Sequence, residues 1–228
     1  MGLLRGASRS CEKSRADPAV SVVIPSSGGS GWLARCLQAL AVQTRPVDEV
    51  IVVGLNGNGS HDLTAWGATV RGISCEGTFS FCRAANRGIA AARGQWVLLL
   101  NDDVVLASSF LERLLTGLPT DEARIGMACG KLLAEDGRTI DSTGQFLSRT
   151  RTARERGHRR LDRGQFDQPG AVFSAPGACA LYRKEMLESL AVGPQVFDER
   201  LSMYLEDLEL GWRAQRAGWR AWYVPEAV

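Results

Sequence analysis

Asn101-Asp102-Asp103 is the group of residues whose types and spacing most clearly indicate chemistry. It directly follows the wholly apolar run Trp96 to Leu100, and parallel α/β sheets bind their ligands at the carboxyl ends of strands. Two adjacent acids in a partly desolvated crevice repel each other unless a cation keeps both ionised. Mg²⁺ or Mn²⁺ suits this pair, because such hard ions bind carboxylate oxygens, phosphate oxygens and water. A single acid here would be explained by turn formation, but for two acids we favour metal binding.

A second acidic pair, Glu206-Asp207, stands beside apolar residues at helical spacing, Leu205, Leu208 and Trp212. This pattern places both acids in the first turn of a helix. Acids in that position complement the helix dipole, which stabilises a helix by about 0.3 to 1 kcal/mol. On the residues alone, this structural role is therefore preferred to a catalytic one.

Asn86-Arg87-Gly88 lies in a segment that the sequence predicts to be helical. Asn and Gly each cost a helix about 0.5 to 1 kcal/mol relative to Ala, so another interaction should offset that cost. A contact with a phosphate or a nucleobase would do so. Close helix packing at Gly88 explains the glycine equally well, and both explanations remain open.

Two loops follow the first two predicted strands, and both could admit a nucleotide through exposed backbone N–H groups. They are Pro25-Ser26-Ser27 and the segment Gly54 to Ser60. Neither matches the dinucleotide fingerprint Gly-x-Gly-x-x-Gly. As phosphate-binding loops they are weak signals, and ordinary turns are the preferred interpretation.

The elements that must position these residues alternate between apolar strands and amphipathic helices, which is typical of parallel βαβ units. After residue 125 the apolar pieces become shorter and predict mixed or antiparallel strands. The main predicted elements are strands at Val20 to Ile24, Val50 to Val53, Trp96 to Leu100 and Ala221 to Val224, and helices at Trp32 to Val42, Phe81 to Arg93 and Leu205 to Ala217.

Length and composition favour one α/β domain. The chain has 228 residues, 45% of them hydrophobic, and a formal net charge of +2, which gives no indication of a nucleic-acid partner. We expect a disordered leader at 1–17 and a single domain at 18–228. The scattered cysteines and the lack of a run of about 20 apolar residues predict a cytoplasmic protein.

The stretch from Arg149 to Arg163 is rich in arginine and has little periodicity. We expect a solvated surface loop. A peripheral contact with the inner face of the membrane is the further possibility, because a basic residue near anionic headgroups contributes about 1 kcal/mol.

Together these motifs resemble glycosyltransferase family two, and within it bacterial rhamnosyltransferase-like members. The resemblance runs from about Val20 to the C-terminus, and it is the order of the motifs that is specific. The motifs are Val20 to Pro25, Cys36-Leu37 to Gln43-Thr44, Val50 to Val53, Ala84 to Gly94, Leu100 to Asp103, Pro176-Gly177-Ala178, and Phe197-Asp198-Glu199 to Glu206-Asp207. The resemblance implies a GT-A fold, in which a Rossmann-like, mostly parallel sheet is flanked by helices and joined by a small mixed or antiparallel acceptor-side part. It also implies a nucleotide-sugar-binding half at 18–105 and an acceptor-binding half at 106–228.

The resemblance also implies an activity: inverting, metal-assisted transfer of a sugar from a UDP- or dTDP-sugar to a saccharide or lipid-linked saccharide of the cell envelope. Asp103, in a DXD-like motif, would bind Mg²⁺ or Mn²⁺, and Asp102 would face the ribose or the metal. Asp207 would be the general base, with Glu206 as the second candidate. The residues expected to line the nucleotide-sugar site are Pro25, Ser26, Ser27, Asn56, Asn86, Arg87 and Asp102.

The sequence departs from the family pattern in two places. Gly54-Leu55-Asn56 stands where the family usually has an Asp that reads the base, so Asn56 or Asn58 would substitute for it. The family's His after the last strand is not found before the chain ends at Val228. We therefore expect either a fragment or an incomplete donor site.

Two other functions remain open. One is a catalytically degenerate module that binds a nucleotide sugar. The other is a sugar-nucleotide nucleotidyltransferase, which is less favoured because such enzymes carry Arg and Lys in the loop after the first strand, and the segment Ser26 to Gly31 contains neither.

Overall fold

The computed structural model describes residues 18–28, 31–54, 63–66, 69–75, 77–120, 124–150, 152–201 and 204–228. The predicted leader at 1–17 and the predicted nucleotide contact Asn56 lie outside the described residues. Within the described ranges, no helix combines the length and the hydrophobicity that crossing a bilayer requires.

The strands form one large sheet and two small ones. In the described part of the chain, eight strands make the large sheet in the order β10-β12-β5-β11-β4-β1-β2-β3, and two antiparallel pairs, β6-β7 and β8-β9, lie apart from it. The strands are β1 (Val20–Pro25), β2 (Glu49–Val53), β3 (Val70–Ile73), β4 (Trp96–Leu100), β5 (Ile125–Cys129), β6 (Leu132–Leu133), β7 (Ile140–Ser142), β8 (Gln145–Leu147), β9 (Ala153–Glu155), β10 (Gly170–Val172), β11 (Cys179–Arg183) and β12 (Arg220–Tyr223).

Parallel pairing dominates the large sheet. Strands β4, β1, β2 and β3 are parallel to one another, and β12 is parallel to β5. Strand β11 runs antiparallel to both β4 and β5, and β10 runs antiparallel to β12. This topology confirms the predicted α/β class, with a mostly parallel central sheet and a small antiparallel part.

Helices cover both faces of the sheet. They are α1 (Trp32–Ala41), α2 (Phe81–Ala91), α3 (Phe110–Thr116), α4 (Lys184–Leu190) and α5 (Glu206–Arg216), with 3₁₀ turns at Leu63–Trp66 and Glu199–Leu201. Because side chains alternate along a strand, β4 sends Val97 and Leu99 into the core beneath α2, α4 and α5, and Leu98 into the core beneath α1 and α3. The strand is thus buried on both faces, as its continuous apolar run predicts.

Gly88 allows α2 to approach the sheet closely. A Cβ atom at this position would lie 2.2 Å from Val23 Cγ1, which is far inside van der Waals contact. Helix packing therefore accounts for this glycine, one of the two explanations that the sequence left open.

The arginine-rich stretch is more structured than predicted. Strand β9 lies within it and pairs with β8. Arg156 donates from Nε to the carbonyl oxygen of Thr143 at 3.1 Å, and its guanidinium lies 4.6 Å from the ring centroid of Tyr223. The prediction of a solvated surface loop is wrong for Arg156, because its guanidinium lies between Thr143 and the ring of Tyr223. The other arginines described in the stretch are exposed, namely Arg149, Arg154, Arg159, Arg160 and Arg163.

Candidate active site

Both acidic pairs line one cleft of about 570 Å³ at the carboxyl end of β4. The topology explains this meeting. Cys179 of β11 is the antiparallel partner of Leu100, so the segment 176–178 that precedes β11 lies beside the segment 101–103 that follows β4. The backbone N–H of Asn101 donates to the carbonyl oxygen of Ala178 at 2.9 Å. The start of α5 then packs on the segment 176–178 and brings its own acids to the cleft.

On the β4 side the carboxylates have few partners. Ser26 Oγ, at the end of β1, donates to Asp102 Oδ2 at 2.6 Å, and Ser26 is buried. Asp103 is exposed and makes no hydrogen bond or ion pair with another residue of the described ranges. Asp103 therefore keeps the full accepting capacity of its carboxylate for a ligand.

These acids fit a hard divalent cation. Carboxylate oxygens are ligands that Mg²⁺ and Mn²⁺ accept, and Mg²⁺ is commonly held by one or two carboxylates together with phosphate oxygens and water. Within the described ranges there is no group of three or more Asp, Glu, His or Cys side chains placed to hold a metal. Asp102 and Asp103 can therefore supply at most part of the coordination of such an ion.

On the α5 side the carboxylate of Asp207 is held tightly. Its Oδ2 accepts from the backbone N–H of Gly177 at 2.7 Å and from Gln145 Nε2 at 2.8 Å, while Oδ1 accepts from the backbone N–H of Leu208 at 2.7 Å. A Cβ at position 177 would lie 3.3 Å from Asp207 Oδ2. A side chain at this position would require Asp207 to shift by a few tenths of an ångström, so the glycine favours the close approach.

Glu206 is the more deeply buried acid of its pair. It is only 7% exposed, and its Oε2 has no hydrogen-bond partner in the described structure. Burial raises the pKa of its carboxyl, and the nearby charge of Asp207 raises it further. Glu206 therefore favours the protonated form more than an ordinary glutamate does.

The turn that leads into α5 has an unusual backbone. Tyr204 and Leu205 both have positive φ angles, 71° and 69°, which non-glycine residues seldom adopt and which cost free energy. Both line the cleft, and their side chains are 77% and 61% exposed. The turn directs Glu206 and Asp207 inward while placing two apolar side chains at the cleft wall.

The structure brings some of the predicted nucleotide-site residues together. Pro25 and Ser27 line the cleft with both acidic pairs, and Ser26 lies behind Asp102, to which it donates.

Asn86 and Arg87 are not brought to the cleft. Asn86 is 5% exposed, its Nδ2 donates to the carbonyl oxygen of Phe197 at 2.9 Å, and its Oδ1 accepts from the backbone N–H of Val196 at 3.0 Å. These bonds attach α2 to the chain ahead of α5 and offset the helix cost of asparagine. Arg87 is exposed on α2 and does not line the cleft. A direct nucleotide contact is not supported by this placement of either residue.

Several residues of the cleft carry no clear sequence signal. Gln145 and Glu155 lie on three-residue strands that are too short to show a period, and Tyr204 resembles any exposed aromatic. Gly177, by contrast, belongs to the Pro176-Gly177-Ala178 motif that the sequence singles out. The cleft residues without such a signal include Asp141, Ser142, Gln145, Arg154, Glu155 and Tyr204.

Comparison with known proteins gives a consistent picture. The family model described as "Glycosyltransferase like family 2" matches residues 18–228. An N-acetylglucosaminyltransferase of Bradyrhizobium diazoefficiens is 28% identical over 229 residues, covering 92% of this chain and 44% of that protein. An N-acetylglucosaminyl-diphospho-decaprenol L-rhamnosyltransferase of Mycobacterium tuberculosis is 29% identical, covering 86% of this chain and 70% of that protein. The chain thus spans about half the length of several curated relatives that it matches.

Among solved structures, GalNAc-T7 with UDP, GalNAc and Mn²⁺ superposes with a TM-score of 0.70 at 16% sequence identity, covering 91% of this chain and 42% of that one. At this identity the likeness concerns the fold alone. It confirms the GT-A architecture that the motifs predict.

Proposed function

The chain belongs to the glycosyltransferase-like family 2, and from that premise we propose that it is an inverting glycosyltransferase. It moves a sugar from a nucleotide-diphosphate donor, a UDP- or dTDP-sugar, to a hydroxyl of a saccharide or lipid-linked saccharide of the cell envelope. One observation carries the proposal: a single cleft holds, in one wall, an adjacent pair of acids of which Asp103 is exposed and, in its other wall, an acid held by three hydrogen bonds.

The donor would lie on the β4 side. Asp103 and Asp102 would hold Mg²⁺ or Mn²⁺, which when bound neutralises the charge that develops on the leaving diphosphate. The hydrogen bond from Ser26 occupies Asp102 Oδ2 and orients the carboxylate toward the cleft. Pro25, Ser27 and Asn56 would contact the nucleotide. GalNAc-T7, which shares the fold, was solved with UDP and Mn²⁺, and this supports the use of a nucleotide donor together with a divalent ion.

The acceptor would lie on the α5 side. Asp207 Oδ2 already accepts two hydrogen bonds, whereas Oδ1 accepts one, so Oδ1 has capacity to receive the proton of the acceptor hydroxyl. The acceptor oxygen forms its bond to the anomeric carbon as the bond to the diphosphate oxygen breaks, and the electron pair leaves with the diphosphate. One in-line displacement inverts the configuration. Glu206 is the second candidate for the base, but its burial makes it less able to reach a hydroxyl.

The exposed arginines of the 149–163 stretch support a peripheral location at the cytoplasmic face of the membrane. Arg156 cannot contribute, because its guanidinium is engaged within the fold. Vesicle co-sedimentation would test this location: binding to anionic but not to neutral vesicles is expected, and equal binding to both would contradict it.

Calorimetry against a panel of UDP-, dTDP- and GDP-sugars, with and without Mn²⁺, tests the proposed function. We expect Mn²⁺-dependent binding of one UDP- or dTDP-sugar by the folded protein, followed by transfer when acceptor saccharides are supplied. Binding without transfer to any acceptor would favour the degenerate binding module. An absence of binding to every donor would refute the transferase function.

A further inference from the structure

Gln145 lies between two acids in the acceptor-side wall of the cleft. Its Nε2 donates to Asp207 Oδ2 and to Glu155 Oε1, both at 2.8 Å. A side-chain amide has two N–H donors, and both are used here. The opposite orientation would turn the amide oxygen toward two carboxylates, so the acids themselves determine how this amide is oriented.

The backbone of Gln145 is also held. Its N–H donates to the carbonyl oxygen of Ser174 at 2.9 Å, and its carbonyl oxygen accepts from the N–H of Phe173 at 2.9 Å. Ser174 Oγ donates in turn to the main-chain oxygen of Asp207 at 3.0 Å. The β8-β9 pair is thereby attached to the first turn of α5 at the residue that we assign as the base.

Glu155 completes this arrangement from the neighbouring strand. It is the register partner of Gln145 across β8 and β9, and its Oε2 accepts a short hydrogen bond from Ser142 Oγ. Burial raises the pKa of the Glu155 carboxyl, although its two hydrogen bonds act in the opposite direction. Within the described ranges Glu155 forms no ion pair. Glu155 is partly buried, and removing an acid from water without a basic partner has a cost, so its contact with Gln145 calls for an explanation.

We propose that Glu155 is a positioning residue for Asp207 and acts through Gln145. By holding the Gln145 amide against Asp207 Oδ2, Glu155 leaves Oδ1 as the oxygen that receives the acceptor proton. The inference rests on the proposed function, because it takes Asp207 to be the base. It adds two residues, 145 and 155, that the sequence motifs do not indicate.

Substitutions at Glu155 test the proposal in the full chain. Glu155→Leu removes the acceptor for Gln145, and we expect kcat to fall by roughly 10- to 100-fold, by analogy with the loss of groups that orient metal ligands. Glu155→Gln keeps an oxygen that can accept from Gln145, so we expect it to retain most of the activity that the leucine variant loses. Glu135→Gln removes an exposed acid from the same half of the chain, and we expect it to behave as wild type.

Measuring donor binding alongside kcat distinguishes a positioning role of Glu155 from general damage to the fold. We expect Mn²⁺-dependent donor binding, measured by calorimetry, and the unfolding temperature to stay near wild type in Glu155→Leu. We also expect the effects of Glu155→Leu and Gln145→Leu on kcat to be non-additive in the double variant, because residues that act through one contact do not contribute independently.

The outcomes separate the two proposals. Wild-type kcat in Glu155→Leu, donor binding lost in parallel with kcat, or additive effects in the double variant would each overturn the positioning role while leaving the proposed function intact. A wild-type protein that transfers sugar from no donor would refute the proposed function, and the inference would fall with it.

Discussion

The two acidic pairs of the cleft are adjacent carboxylates of similar chemistry in opposite environments. At the end of β4, Asp103 is exposed and Asp102 has one described side-chain partner, Ser26. At the start of α5, Glu206 is buried and Asp207 accepts hydrogen bonds from three residues. Carboxylates left open are suited to bind an ion that arrives with its ligand, whereas a carboxylate held in advance is suited to take a proton in one geometry. The contrast supports the proposed division of metal binding and proton transfer between the two walls of the cleft.

The largest effect on transfer is expected at Asp102-Asp103, the acidic pair at the end of β4. Asp103→Asn removes a charged ligand for the divalent ion, so we expect transfer to fall by about 10³-fold or more, since the ion supplies several kcal/mol of charge stabilisation. Mn²⁺-dependent donor binding should be lost as well. Calorimetry and a transfer assay measure both, and Glu112→Gln, an exposed acid on α3, serves as the charge-matched control. Donor binding that keeps its Mn²⁺ dependence would remove Asp103 from the metal site.

Asp207→Asn should separate the two tasks. The amide has the size of the carboxylate but cannot act as a base at neutral pH, so we expect kcat to fall by about 10² to 10³-fold, within the range for general-base catalysis. Donor binding should be unchanged, because Asp207 lies in the other wall of the cleft. Steady-state kinetics and donor titration measure the separation. A variant that transfers sugar at the wild-type rate would show that Asp207 is not the base.

Ser26→Ala should have a smaller effect, on the affinity for the donor, through the pair Asp102-Asp103. Loss of the 2.6 Å hydrogen bond to Asp102 frees that carboxylate to rotate, and we expect the affinity for the Mn²⁺–donor complex to weaken by roughly 10-fold, as for other groups that orient a metal ligand. The affinity for the donor without Mn²⁺ should stay the same and provides the internal control. An equal loss with and without Mn²⁺ would assign Ser26 to the nucleotide instead.

The smallest expected effect is on the stability of the protein, and it comes from Glu206 at the start of α5. Because the folded state raises the pKa of Glu206, the fold binds that proton more tightly than the unfolded chain does, and stability is lost as pH rises above the ordinary glutamate range. Glu206→Gln removes this penalty, so we expect the unfolding temperature at pH 8 to rise by roughly 2 to 4 °C, equivalent to about 1 kcal/mol.

The gain in unfolding temperature from Glu206→Gln should disappear at pH 4. At that pH the wild-type Glu206 carboxyl is largely protonated in both the folded and the unfolded protein. Thermal unfolding at the two pH values measures the change, with Glu226→Gln as the exposed control. A gain of equal size at both pH values would show that the charge of Glu206 is not its cause.

Much of the scaffold could be predicted from local pattern. The wholly apolar run of β4 indicated burial on both faces, and the acids directly after it could only lie at the ligand-binding edge of the sheet. The spacing around Glu206 likewise placed that acid in the first turn of a helix, as α5 shows. In both cases the information lies within a few consecutive residues.

The supporting contacts could not be predicted in this way. Gln145 and Asp207 are 62 positions apart, and they meet only because β8 pairs with the segment before β11. The prediction for Asn86 failed for a related reason. The unfavourable free energy of asparagine in a helix suggested a contact with a ligand, but Val196 and Phe197 of the chain itself provide the hydrogen bonds. A polar residue that is locally unfavourable indicates some compensating contact without identifying it.

The division of tasks between the two pairs is tested most directly by titrating one nucleotide sugar into Asp103→Asn and Asp207→Asn in parallel, with and without Mn²⁺, and then adding acceptor. We expect Asp207→Asn to bind the donor as wild type does and to transfer almost none of it, and Asp103→Asn to lose Mn²⁺-dependent binding and transfer together. Equal loss of donor binding in both variants, or transfer that survives in Asp207→Asn, would contradict the assignment of separate tasks to the two walls of the cleft.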